Sequence, residues 1–321
     1  MDEDTTFNIL DPFSSIDLGI ADSADGIKQW AIANRDLIQP IKAVFNDIVT
    51  AIDGALNAVP PLVMLALITL IAWQAAGRRT AILVGLCLFA LGLLDPNAWS
   101  LAMTTLAIVI SAVTACFVIG LPLGILAAKS DGFERLLRPV LGLMQTIPAF
   151  VYLVPVVMLV GIGNVSGVIV TIVFALPPLI RLTSLGIRGV NPSVVEAAQA
   201  FGASPRQILV KVELPLAAPT ILAGVNQTIM LALSMVVVAG LAGADGLGTT
   251  VVSAVTQLDI ATGVEGGLAV VIVAIFLDRF TSALAERPEG SLLARLRARR
   301  PQKAAARAAR RRPHAMHFRD P

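Results

Sequence analysis

Apolar residues in this chain gather in long, nearly unbroken stretches, unlike the alternating patterns of soluble helices and strands. Seven stretches approach the roughly 20 residues that a helix needs to cross a hydrocarbon core: 60–77, 80–94, 98–127, 139–160, 164–182, 216–242 and 264–285. The second is the shortest, and a re-entrant or tilted pairing with the first is the alternative to two full crossings. The third is long for one crossing and contains Pro122, whose missing N–H predicts a kink. Ahead of the first stretch the pattern changes. Leu37, Ile38, Ile41, Val44, Phe45, Ile48, Val49, Ile52 and Leu56 recur at three- and four-residue spacing, predicting an amphipathic helix over about 36–57. Its polar face carries Asp47 and Asp53 and few bases, unlike a basic lipid anchor. It reads as a helix lying on its own membrane domain, with a docking site for an external partner as the other reading.

Composition supports a bilayer protein: 56% of the residues are hydrophobic, 14% are charged, and mean hydropathy is +0.81. A soluble domain of this size carries more charge. The expected fold class is an all-α polytopic membrane protein of about seven transmembrane helices. Cys87 and Cys116 both fall inside apolar runs and indicate neither a disulfide framework nor a metal site. The acidic start, MDEDTTFNIL, lacks the basic and apolar regions of a cleaved signal peptide, so the chain is expected to be retained whole.

Charge sets the orientation. Residues 1–59 carry ten acids against three bases, and residues 287–321 carry eleven bases against Glu289 and Asp320. Between them, all ten bases fall in alternate connections: Arg78 and Arg79, then Lys129, Arg135 and Arg138, then Arg181 to Lys211, then Arg279. Short loops rich in Lys and Arg face the cytoplasm. Seven crossings with the N-terminus outside and the C-terminus inside put all ten there, and leave none around Asp95, Asn164 or 245–259. The chain therefore divides into an acidic external segment (1–59), two accessory helices (60–94), a core (98–285) with a cytoplasmic loop at 191–215, and a basic tail (286–321).

That loop reads NPSVVEAAQAFGASPRQILVKVELP from Asn191 to Pro215. Ser193 with Glu196 three residues on predicts a capping box and a helix start. Gly202 is placed to end that helix in the left-handed conformation, and Ser204, Pro205 and Gln207 form a second start signal. A short helix, a tight turn and a second helix running into the membrane past Pro215 and Pro219 follow. Val194, Ala198 and Phe201 share one face of the short helix and offer a small apolar surface.

Glu196, Ala197 and Ala198, followed by Gly202, Ile208, Leu214 and Pro215, resemble the EAA loop of ATP-binding cassette importer permeases, in which the short helix is the coupling helix seated in a groove of the ATPase subunit. The segments MQTIPAFVYLVPV (144–156), FALPPLIRLTSLGIRG (174–189) and GVNQTIMLALSMVVV (224–238) are similar to the permeases of glycine betaine/proline betaine importers. Asp245, in GADGLG (243–248), stands where such permeases often carry a small residue. The resemblance implies a type I importer permease fold, a homodimer of permeases, two copies of an ATPase that binds ATP and Mg, and an external substrate-binding protein delivering glycine betaine, proline betaine or choline. It implies a bacterial inner-membrane location and an ATPase-docking loop made of Val194, Glu196, Ala197, Ala198, Phe201, Gly202, Leu214 and Pro215.

The chain contains no G-x-x-x-x-G-K-[ST], so no cofactor is expected on it and ATP is expected to be hydrolysed on another chain. Its histidines, His314 and His317, both lie in the tail, away from any intramembrane catalytic or zinc arrangement. No acid or base sits near the middle of a span, which argues against a proton-coupled carrier. A channel or carrier working without an ATPase is the alternative class. Polar groups within spans are few: Gln145, Thr146 and Tyr152, then Asn226, Gln227, Thr228 and Ser234. They either satisfy one another between helices or, with Met230, line a translocation path. The Arg-rich tail suits anionic lipid and, with no aromatic reading element beside it, not nucleic acid.

Overall fold

The computed structural model describes residues 33–285, together with Asp25, Gly26 and Gln29, and every regular element among them is helical. The acidic segment before residue 25 and the basic tail from residue 286 lie outside the described residues. In chain order the helices are α1 (Arg35–Asn57), α2 (Pro61–Ala76), α3 (Arg78–Leu94), α4 (Ala98–Lys129), α5 (Asp131–Thr146), α6 (Ala149–Val160), α7 (Asn164–Arg188), α8 (Pro192–Ala200), α9 (Pro205–Ile208), α10 (Leu214–Ser234), α11 (Val236–Leu241), α12 (Leu247–Gln257) and α13 (Ile260–Ala285).

Helix α1 meets α2 at 100°, so it runs across the bundle and not along it. The turn falls at Pro60–Pro61, where Pro60 is extended and neither residue has an N–H to continue a helix. Val49 is buried, and Phe45 and Leu56 pack on the core beneath, which α1 reaches by crossing α4, α6 and α7. Ile41, Val44 and Ile48 form a second apolar edge that faces away from the protein.

Four helical stretches, 98–129, 164–188, 205–234 and 260–282, are long and apolar enough to cross a membrane alone, and two bent pairs bring the number to six if each is one span. Two sequence expectations change here. The stretch 80–94 lies in α3, whose 17 residues fall just short of that length. The stretch 139–160 is not one helix: α5 begins back at Asp131, and α5 and α6 meet at 98°. Pro148 explains the break, since it removes a donor and pushes Ile147 out of the helical region to φ −70°, ψ 124°. Helix α4, by contrast, continues unbroken past Pro122 to Lys129.

Helices α4 and α7 are the centre of the molecule and run in the same direction. They approach closely at Gly124, where an added Cβ would stand 2.5 Å from the Thr183 Cβ and 3.0 Å from the Ile180 carbonyl oxygen. Both end beside the start of α10, which runs the opposite way. Since α4 ends where α7 does, the bent pair α5–α6 makes the return passage between them. The opposite end is closed by contacts among loops. The Leu247 N–H donates to Thr105 Oγ1 (2.9 Å), and the Gly163 N–H to the Ala242 carbonyl (3.1 Å). One end of the bundle thus carries the 189–213 connection and the other the 241–260 connection.

Candidate functional site

The 189–213 connection is a compact helical projection. Asn191 caps α8, accepting from the Ser193 N–H (3.0 Å) and hydroxyl (2.8 Å). The sequence reading put the cap at Ser193, paired with Glu196. Pro192 moves it, because a proline at the first helical position has preset φ and no N–H to satisfy, leaving Asn191 as the extended cap residue. Such a cap is worth about 1 kcal/mol. Gly202 then takes φ +79°, its N–H donating to the Gln199 carbonyl (2.8 Å) while the Ala203 N–H reaches the Ala198 carbonyl (3.1 Å), which closes the end of α8. Ser204 and Gln207 form a reciprocal capping box at the start of α9: the Ser204 N–H donates to Gln207 Oε1 (2.8 Å) and the Gln207 N–H to Ser204 Oγ (3.4 Å). Five residues of π-helix, Leu209–Glu213, join α9 to α10.

At the outer surface of the projection, Phe201 is 93% exposed and Val194 42%, with Glu196 and Ala197 exposed and Ala198 half-buried. A rigid turn that holds a phenylalanine ring in water offers a ready anchor for another protein. Leu214 and Pro215 play another part. Leu214 packs against the cluster of Ile187, Ala217 and Ile221, and Pro215 opens α10, so together they shape the return into the bundle.

Charged pairs fix the base of the projection. Lys129 Nζ donates to both oxygens of Glu213 (2.7 and 2.5 Å), whose side chain is only 8% exposed. Arg188 places Nη1 on Asp131 Oδ1 (2.7 Å) and Nη2 on both Glu134 Oε2 (3.2 Å) and the Ala127 carbonyl (2.7 Å). Beneath α8 lies an open cavity of about 400 Å³ lined by Lys129, Arg188, Val195, Glu196, Gln199 and Glu213. Glu196 has no hydrogen bond or ion pair among the described residues. The sequence reading treated Lys129 and Arg188 as topology markers and passed over Glu213, Asp131 and Glu134. The available signal was Glu213 itself, an acid between Val212 and Leu214 on the approach to a span.

The polar residues singled out inside the spans separate into four groups, Thr228 being buried and unpartnered like Tyr152. Gln145 and Asn226 are tied between helices: Gln145 Oε1 accepts from Arg181 Nη1 (2.6 Å), and Asn226 Oδ1 from the Thr281 hydroxyl (2.8 Å). Thr146 returns its hydroxyl to the Gly142 carbonyl of its own helix (3.1 Å). Tyr152 packs beside Leu153, Val170, Met235 and Ala242, with its hydroxyl buried and unpartnered. Gln227, Met230 and Ser234 are exposed at i, i+3 and i+7, so they share one face of α10.

At the other end of the molecule, Asn164 and Asp245 bond reciprocally: Asn164 Nδ2 donates to Asp245 Oδ2 (3.1 Å) and the Asp245 N–H to Asn164 Oδ1 (2.6 Å). Asp259 caps α13. Hydrogen bonds from the Thr262 hydroxyl (2.7 Å) and then from backbone N–H groups favour its charged form and hold its carboxyl below the usual carboxylate range.

Residues 120–289 match the family of binding-protein-dependent transport system inner membrane components. The chain belongs to this family. The matched residues take in the last third of α4, the projection and the helices up to α13, while α1 to α3 precede them. Over 87% of its length the chain is 48% identical to the glycine betaine/proline betaine transport system permease protein ProW of Escherichia coli, covering 78% of that protein. It is 47% identical over 75% of its length to the glycine betaine transport system permease protein OpuAB of Bacillus subtilis (83% of that protein). It is 43% identical over 81% to the glycine betaine/carnitine transport permease protein GbuB of Listeria monocytogenes (91% of that protein). Among solved structures, an inward-facing form of the MetNI methionine ABC transporter superposes with a TM-score of 0.53 at 24% identity, covering 60% of this chain and 97% of that one. The fold is therefore that of an ABC transporter permease.

Proposed function

We propose that this permease carries glycine betaine, proline betaine or choline across the bacterial inner membrane as the translocating subunit of an ATP-driven importer. The 189–213 projection carries this reading: a capped, rigid helical pair with Phe201 and Val194 held outward, tied by ion pairs to the base of the central helices. Its chemistry suits the receipt of a mechanical push from a soluble partner, and the identity to glycine betaine permeases points to an ATPase and an external substrate-binding protein as partners. The one-sided placement of bases supports an external N-terminus, a cytoplasmic C-terminus and a cytoplasmic projection.

Two copies of the chain enclose one path, and two ATPase subunits, holding ATP and Mg, take one projection each. Closure of the motors on ATP draws the projections together and turns the path outward, and hydrolysis resets it. Val194, Ala198 and Phe201 make the contact, Glu196 and Ala197 lie along it, Gly202 sets the turn, and Leu214 and Pro215 return the motion to α10. The Gln227, Met230 and Ser234 face of α10 lines the path. A quaternary ammonium offers no N–H to donate, so tight capture needs aromatic faces. With 5% aromatic residues and its single tyrosine half-buried among apolar neighbours, this chain suits weak passage, and tight recognition falls to the external binding protein. The basic tail suits contact with anionic lipid on the cytoplasmic leaflet.

Reconstitution in proteoliposomes tests the assignment. Labelled glycine betaine and choline are expected to accumulate only when ATP, the ATPase and the binding protein are all present. Uptake by the chain alone would overturn it in favour of a channel or carrier.

A further inference from the structure

The α4–α5 elbow holds both ends of the projection. At the end where α7 leads into the projection, Arg188 bonds the Ala127 carbonyl, near the end of α4, and the first turn of α5 through Asp131 and Glu134. At the end where it leads into α10, Glu213 is held on both carboxylate oxygens by Lys129, the last residue of α4. Arg188, Lys129 and Glu213 all line the cavity under α8, and both attachments land within the eight residues 127–134. Neither includes Val194, Ala198 or Phe201, the residues given the partner contact above. Arg188 is further bound to the fork of contacts that a planar guanidinium makes and an ammonium cannot, and Glu213 is a carboxylate withdrawn from water with its charge matched at contact distance.

We propose that these two charge clamps, Arg188 on Asp131 and Glu134 and Lys129 on Glu213, make the α4–α5 elbow the receiver of the projection's motion. This rests on the permease reading above. A projection hinged only through the backbone of α7 and α10 would move those two helices and leave α5 behind. Clamped at both ends to residues 127–134, it carries α5 with it. At the far end of α5 the chain turns 98° into α6, and Gln145, one residue before its last, is held by Arg181 of α7. Displacement of the elbow thus reaches the one break in the return passage. Lys129, Glu213, Arg188, Asp131 and Glu134 are positioning residues: each acts through the bond that ties the projection to the elbow.

The measurement is uptake per ATP hydrolysed, in proteoliposomes holding the complete complex of permease, ATPase and binding protein, with labelled glycine betaine. Glu213→Gln and Lys129→Met are each expected to assemble with the ATPase and hydrolyse ATP while the ratio falls about fivefold or more, the low end of what a lost coupling contact is worth. The exchange Lys129→Glu with Glu213→Lys should recover the ratio, which a loss of fold would not. Arg188→Lys, keeping charge but not the fork, should lower the ratio in the same way. Should the neutral variants be lost from the membrane, Glu213→Asp, which keeps the charge and shortens the reach, is read on the same scale. Wild-type uptake with an unchanged ratio in these variants overturns the clamps alone, as does an exchange that recovers nothing. A wild-type complex that transports nothing overturns the permease reading and this inference with it.

Discussion

Among single residues, Gly202 has the clearest consequence. Its φ of +79° lies in the left-handed region, and an added Cβ would meet nothing within 4 Å, so the demand for glycine there is conformational and not one of space. Gly202→Val should abolish uptake while the protein remains in the membrane, because a β-branched residue resists positive φ, and Gly202→Asn should keep most of it. Normal uptake in the valine variant, at wild-type membrane levels, would contradict the role given to the turn. This position was legible in the sequence, since a glycine two residues before a Ser-Pro-x-Gln start signal has few other uses. The cap at the front of the same helix was misread by two residues: Ser193 and Glu196 fit a capping box, but Asn191 with Pro192 fits a stronger start. Glu213 was hidden for a different reason. Its partner Lys129 lies 84 residues away in the chain, and pairing at that separation leaves no local pattern.

Among elements, the packing of α4 on α7 orders the whole bundle. Gly124→Ala would drive a methyl group against the Thr183 side chain and the backbone at Ile180, with no flexible side-chain end to yield. A loss of about 1–3 kcal/mol is expected from overpacking of this kind. It should appear as a lower unfolding temperature in detergent, and an unchanged temperature would show that the two helices can separate freely. Helix existence was largely readable from apolar run length, and α4, α7 and α13 lie close to their predicted places, whereas the expected 216–242 span divides at Met235 into α10 and α11. The angles between helices were not. Pro148 and the pair at 60–61 were visible as prolines, yet so was Pro122, which leaves α4 continuous. Whether a proline kinks, breaks or merely punctuates a span depends on what packs around it, and a run of apolar residues carries no record of its neighbours.

At the scale of the whole molecule, the two ends differ in kind. One gathers Lys129, Arg188 and Glu213 around the 189–213 projection, and the other closes through Asn164, Asp245 and Thr105. With Cys87 and Cys116 replaced by alanine, a membrane-impermeant maleimide should label Thr256→Cys in intact spheroplasts and Ser193→Cys only after permeabilisation. The reverse order of labelling would invert the proposed orientation. Both sites are exposed, so accessibility within the protein does not confound the comparison. The sequence predicted the sidedness from charge alone, but it could not predict that the span count would turn on two right-angled pairs.

The π turn at Leu209–Glu213 gives the permease a tolerance in chain length. A π turn holds one residue more than an α turn over nearly the same path. Removing a residue there lets the backbone close as ordinary α-helix, with Ile208 and Leu214 each keeping the face it presents to the bundle. The same deletion inside α10 would rotate everything beyond it by about 100° and turn its buried positions toward lipid. A one-residue deletion at this join should therefore leave the register of the span that follows fixed.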